Sequence, residues 1–146
     1  MEPKMPQIVE SVLIAESSAD LWEEIGAFGS VARWHPMLAK VESEGDREGC
    51  KRVAEARDGG RQTERLIEFA PKQHFYRYRM EATALPVDNY VGELRIEDCA
   101  DQTSRVVWSA KFKLRSAKAV DTTDIVRSFL KAGLDNLAST HRRPRA

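Results

Sequence analysis

Six strand-like runs crowd the chain between residues 38 and 115, at 38–46, 50–57, 61–70, 74–84, 89–98 and 104–115. Only turn-formers separate them: Gly45-Asp46 and Glu48-Gly49, Asp58-Gly59-Gly60, Ala70-Pro71-Lys72, Pro86-Val87-Asp88-Asn89 and Ala100-Asp101. A parallel neighbour needs a crossover of roughly a dozen residues or more, and none of these connections is that long. Consecutive strands must therefore pair antiparallel, as a meander. Three of them alternate well enough to assign faces. Tyr76, Tyr78, Met80 and Ala82 oppose Arg77, Arg79 and Glu81; Tyr90, Gly92, Leu94 and Ile96 oppose Glu93, Arg95 and Glu97; Val106, Trp108, Ala110, Phe112 and Leu114 oppose Arg105, Ser109, Lys111 and Lys113. One face is apolar and aromatic, and the other is charged and wet.

A sheet with one apolar face needs a cover. Residues 121–141 supply one: Ile125, Val126, Phe129, Leu130, Leu134, Leu137 and Ala138 form a wide stripe at helical spacing, with Asp121 as expected N-cap and Asp124 in the first turn. Before the meander, Gln7–Ala15 is Ile- and Val-rich and predicts a first strand. A helix follows from Ser17, with Leu21, Trp22, Ile25 and Phe28 on its buried face. A second short helical segment, Ser30–Trp34, stops ahead of Pro36, because the residue before proline is pushed toward extended geometry. The expected fold is α+β and one domain over 1–146: a curved, antiparallel seven-stranded sheet wrapped on a long C-terminal helix, with two short helices after strand 1.

Composition narrows the function classes. With 23 basic and 23 acidic residues the net charge is zero, so no field attracts nucleic acid or an anionic membrane. The one basic cluster, His141-Arg142-Arg143-Pro144-Arg145, is expected to be a solvated tail. Cys50 and Cys99 form no C-x-x-C pair and read as reduced thiols of a cytoplasmic protein. No apolar run reaches the roughly 18 residues of a membrane span, and Met1-Glu2-Pro3-Lys4 does not open an apolar signal. No H-E-x-x-H, D-x-D loop, P-loop, dinucleotide fingerprint or G-x-S-x-G occurs, so neither metal nor cofactor is expected.

Particular residues carry a resemblance. Trp22 with Trp34-His35-Pro36, and Gly133-Leu134-Asp135-Asn136-Leu137 in the last helix, are similar to patterns of the START-like, polyketide cyclase/dehydrase (SRPBCC) superfamily, whose fold is the helix-grip. Thr63-Glu64-Arg65-Leu66 and Asp88-Asn89-Tyr90 resemble segments of the plant abscisic-acid receptors. The likeness implies a cavity between sheet and last helix, with Gln62, Glu64, Tyr78, Met80 and Tyr90 on the cavity side and Ile125, Phe129 and Gly133 facing it from the helix. It also matches Lys40 to the receptors' carboxylate-holding lysine. Two departures matter. The turn Ala56-Arg57-Asp58-Gly59-Gly60-Arg61 is polar and shorter than the receptors' gate loop, and Leu85-Pro86 replace their latch histidine and arginine, so hormone-gated docking is not implied.

Within GRQTERLIEF, residues 60–69, alternation alone leaves Glu64 ambiguous, since Arg65, Ile67 and Phe69 oppose Glu64, Leu66 and Glu68. The resemblance turns Glu64 inward, where burial disfavours the charged form unless a cation or donors offset it. Lys40, Gln62 and Tyr90 are the candidate partners. Tyr78, Met80, Tyr90 and Phe129 are expected to line the cavity, whereas Trp108 is either lining or core. His35, at the expected mouth, reads as a surface residue more readily than as a proton shuttle. The leading expectation is a module that binds a small hydrophobic molecule. The alternatives are a cyclase- or dehydratase-like enzyme, with Glu64 moving a proton and Tyr90 or Lys40 stabilising an enolate, and a protein-interaction domain with a filled interior.

Overall fold

The computed structural model describes residues 5–116, 119 and 121–141. Met1–Lys4 and the basic tail Arg142–Arg145 lie outside the described residues. The elements run β1 (Gln7–Ile14), α1 (Ser18–Ile25), a 3-10 turn (Val31–Arg33), β2 (Leu38–Ser43), β3 (Lys51–Ala56), β4 (Arg61–Ala70), β5 (Phe75–Ala82), β6 (Val87–Asp98), β7 (Ser104–Leu114) and α2 (Asp121–Thr140). All seven strands join one antiparallel sheet in the order β1-β7-β6-β5-β4-β3-β2. The fold is the α+β helix-grip. Two details differ from expectation. The second helical segment is a single 3-10 turn, and Asp121 lies inside the first turn of α2 rather than at its cap.

Short-range chemistry sets the elements. Ser17 caps α1, its Oγ accepting the Asp20 N–H at 3.3 Å. Leu21 and Ile25 bury against the sheet, while Trp22 stays half-buried on Phe69 and His74. A Ser18 hydroxyl–Asp98 carboxylate hydrogen bond ties this helix to the end of β6. Two register slips in β4, one between Thr63 and Glu64 and one after Leu66, explain why alternation failed near Glu64, and a third reshapes β6. Between Leu66 and Glu68 the β4 register slips, so Leu66 faces Tyr78 and Phe69 faces Tyr76, both inward, while Glu68 sits outside beside Arg77. In β6, Asn89 takes a positive φ of 55° and the register slips between Asp88 and Val91, which turns both Val87 and Tyr90 inward.

The inner face forms the core with Tyr76, Tyr78, Leu94, Val106, Trp108 and Phe112 fully buried, each contributing about 1.5–3 kcal/mol. The outer face carries cross-strand ion pairs such as Arg65–Glu81 and Arg77–Glu93. Helix α2 packs chiefly on β1 and β7, burying Val126, Leu130, Leu134 and Leu137. It thus covers one half of the sheet; Phe28 packs on Tyr76 and Tyr78 in the other half, where the inner face at Ala54, Gln62 and Glu64 borders open space. Among the described residues no helix is long and apolar enough to cross a membrane.

Candidate functional site

A cavity of about 250 Å³ occupies that open half. Its wall comes from β3 (Ala54, Ala56), β4 (Gln62, Glu64), Tyr78, Tyr90, Trp108 and the α2 side chains Val126 and Phe129. Exposed residues form its rim: Met37, Ile125, the β3–β4 turn at Asp58 and Gly60, and Ala84 beside Leu85. The turn is anchored, because the Arg57 N–H donates to the Met37 carbonyl (3.0 Å) and its guanidinium to the Pro36 carbonyl (2.8 Å).

Glu64 points inward and is 7% exposed. Its partner is a residue that sequence reasoning missed. Arg52, on β3 and 2% exposed, donates from Nε to Glu64 Oε1 at 2.7 Å. From Nη1 it donates to the Phe28 carbonyl (2.7 Å) and Tyr76 Oη (3.1 Å). Its guanidinium lies 4.1 Å from the Phe28 ring centroid and 4.6 Å from that of Tyr78. Burial alone would lower the Arg52 pKa; the Glu64 carboxylate and the phenols of Tyr76 and Tyr78 outweigh it and raise the value. A buried arginine is therefore held charged inside the wall of an apolar cavity.

Around this pair the polar groups are few. Trp108 Nε1 donates to Tyr78 Oη at 3.0 Å, which fixes both rings. Gly92 is required opposite Tyr78, because a Cβ there would overlap the phenol ring. Tyr90 stacks on Phe112 with centroids 5.4 Å apart. Burial, then the nearby Glu64 charge, raises its pKa, so the phenol stays a neutral donor. Among the described residues, neither Tyr90 Oη nor Glu64 Oε2 has a protein hydrogen-bond partner, and the one fully enclosed side-chain polar atom left unpaired is Trp34 Nε1. Both residues line the cavity.

The structure brings Gln62, Glu64, Tyr78, Tyr90, Trp108, Ile125 and Phe129 together at the cavity. It does not bring Lys40 there. On β2 that side chain points outward, 62% exposed, and pairs with Glu42 at 2.7 Å. The cation beside Glu64 is Arg52 instead. Met80 sits opposite Glu64 in register but packs against the core outside the lining. Gly133 also lies off the cavity. A Cβ there would stand 2.7 Å from His35, 2.9 Å from Trp34 and 3.0 Å from Trp108, so glycine lets these rings seat against α2.

His35 is neither on the surface nor at the mouth. It is 1% exposed, stacks on Phe129 at 4.0 Å, and places Nε2 2.7 Å from the Phe129 carbonyl. The Met37 N–H donates to Nδ1 at 3.1 Å, so the proton resides on Nε2. Burial lowers its pKa, against the opposing effect of the carbonyl. A neutral imidazole thus staples α2 to the loop ahead of β2.

Solved structures share this architecture. The XoxI protein of Bacillus cereus is 25% identical, with 92% of this chain and 94% of that one aligned at a TM-score of 0.85. The Zhui aromatase/cyclase of a Streptomyces species is 22% identical over 98% of both chains, TM-score 0.79. Norcoclaurine synthase of Thalictrum flavum is 16% identical over 97% and 91%, TM-score 0.73. A sequence search among curated proteins returns no match. Residues 5–142, nearly the whole chain, match one family, and the chain belongs to it: polyketide cyclase / dehydrase and lipid transport.

Proposed function

We propose that the protein binds a small, mostly apolar molecule in the cavity and orients one oxygen of it against Glu64, Tyr90 and Arg52. The observation that carries this reading is the enclosed apolar space of about 250 Å³ with an ion pair and an unpartnered phenol in its wall. Sites of this kind are apolar with a few placed polar groups. The size limits the guest. A 150 Å³ cavity holds benzene, so the volume here suits roughly ten to fifteen non-hydrogen atoms, a fused bicyclic ring or a short acyl chain. Dopamine and hydroxybenzaldehyde, the single-ring compounds in the norcoclaurine synthase complex, are of comparable scale.

The test is a titration with 2-naphthol, read by tryptophan fluorescence, since Trp108 lines the cavity. Saturable quenching that Ala54→Phe abolishes, with the variant still folded, supports the reading; no saturable change in the native protein refutes it. A protein-interaction domain with a filled interior is disfavoured by the open volume itself.

A second reading shares the site. Glu64 and Tyr90 both line the cavity, which supports proton transfer on a bound carbonyl compound. Glu64→Gln separates the two readings. It leaves the affinity for an inert guest within about tenfold, while turnover of any substrate falls by roughly 10²–10⁴-fold.

A further inference from the structure

Away from the cavity, the end of α2 meets α1 and the residues just ahead of it. His141 follows the last turn of α2, its N–H donating to the Leu137 carbonyl at 3.1 Å. Its Nδ1 lies 2.9 Å from that same carbonyl, which can only accept, so Nδ1 carries a proton. Burial would lower the pKa of this ring, but Glu24, the Leu137 carbonyl and Glu16 outweigh it and raise the value, so Nε2 holds a second proton until a metal ion displaces it. Nε2 faces two carboxylates, Glu24 Oε2 at 2.6 Å and Glu16 Oε2 at 3.3 Å. The three ligand atoms lie within 4.8 Å of one another. Two carboxylates and an imidazole converging on one point call for a cation among them, either the Nε2 proton or a metal ion that takes its place.

We propose that Glu16, Glu24 and His141 form a site for a divalent transition-metal ion of the zinc type, which clasps α1 to the C-terminal end of α2. The ligand set is imidazole plus two carboxylates, which suits zinc or cobalt better than calcium or magnesium, and the two negative charges neutralise the ion. The second contact of the histidine is the one such sites use, the far ring N–H donating to a backbone carbonyl and fixing the tautomer. In a tetrahedral site with bonds of about 2.0–2.2 Å, ligand atoms stand about 3.3 Å apart. The Glu16–His141 separation already has that value, and Glu24, half exposed, has to retreat by 3.3 − 2.6, about 0.7 Å. A water would complete the coordination on the solvent side. The consequence is mechanical: the clasp holds the helix whose Val126 and Phe129 wall the cavity. No sequence motif announces the site, because Glu24 and His141 stand 117 residues apart.

Zinc chloride titrated calorimetrically into untagged, chelator-stripped protein tests this. The expected result is one saturable site and a melting temperature raised by zinc. His141→Gln and Glu24→Gln should each weaken binding by roughly 100-fold or more, given that losing even a supporting contact costs 10–100-fold. Should His141→Gln fail to fold, the exposed Glu24→Gln decides. No saturable binding overturns the proposal, as does binding that Glu24→Gln leaves within about threefold. Stabilisation by acid alone, without zinc uptake, also overturns it and makes the cation a proton.

Discussion

Arg52 and Glu64 together give the sharpest energetic prediction. Both are nearly sealed from water, so removing one leaves an uncompensated buried charge. Glu64→Leu strands the guanidinium, although Phe28 and Tyr76 still accept from it, and is expected to cost about 3–5 kcal/mol. Arg52→Met strands the carboxylate at about the same cost. It also orphans the Phe28 carbonyl and the Tyr76 hydroxyl as acceptors, adding about 1–3 kcal/mol for each. The double variant leaves neither charge, and only the Phe28 carbonyl and the Tyr76 hydroxyl, both acceptors of Arg52 Nη1, lose a partner. It should therefore lie about 1–3 kcal/mol per orphaned group below the native protein, and above the Arg52→Met variant, which loses the same two contacts and strands a charge as well. Urea unfolding followed by tryptophan fluorescence measures all four stabilities. The singles approach the whole stability of an ordinary domain, about 5–15 kcal/mol, so Glu64→Leu is the safer arm if Arg52→Met does not fold. A double variant as unstable as the sum of the singles would refute the coupling, and with it the view that the pair is desolvated.

Three further predictions follow from single contacts. His35 is held neutral, with its pKa lowered by burial. The unfolded chain therefore takes up a proton first, and stability is full above the ordinary imidazole value near 6.5 and declines as pH falls toward the folded value; a stability–pH profile in which His35→Gln leaves that slope unchanged would contradict the assignment. Gly133→Ala drives a methyl into Trp34, His35 and Trp108 and should cost about 1–3 kcal/mol by thermal unfolding, an unchanged melting temperature being the contrary result. Lys40→Ala removes an exposed pair with Glu42 and should leave both 2-naphthol affinity and stability nearly unaltered, within about 1 kcal/mol; weakened binding would return Lys40 to the site.

Much of the architecture could be read from periodicity, because short turns permit only antiparallel neighbours and the wet and dry faces of β5–β7 alternate cleanly. Glu64 resisted, since the bulge after Leu66 resets the phase of β4 and makes both of its faces look half polar. The inward acid was legible only through resemblance. Arg52 was missed because KRVAEA looks like a solvated strand; its inward set pairs one long cation with the small Ala54 and Ala56. A signal did exist in the turn. Residues equidistant from Asp58 pair across β3 and β4, 58 − 6 = 52 with 58 + 6 = 64, so centring the hairpin there puts Arg52 opposite Glu64. Lys40 misled for the converse reason. A matched basic residue carries no information about which side of β2 it faces, and the register irregularity between Leu38 and Lys40 lies in that very segment. His35 was misplaced because nothing local to Trp34-His35-Pro36 reveals that Phe129, 94 residues later, supplies its carbonyl.

A crystal structure of the protein grown with 2-naphthol would test the central claim most directly. The account predicts density for the ring system between Phe129 and Ala54, its hydroxyl within hydrogen-bonding distance of Glu64 Oε2 or Tyr90 Oη, and the Arg52–Glu64 contact retained. An interior closed by repacked side chains, or a naphthol bound only on the outer surface, would contradict it.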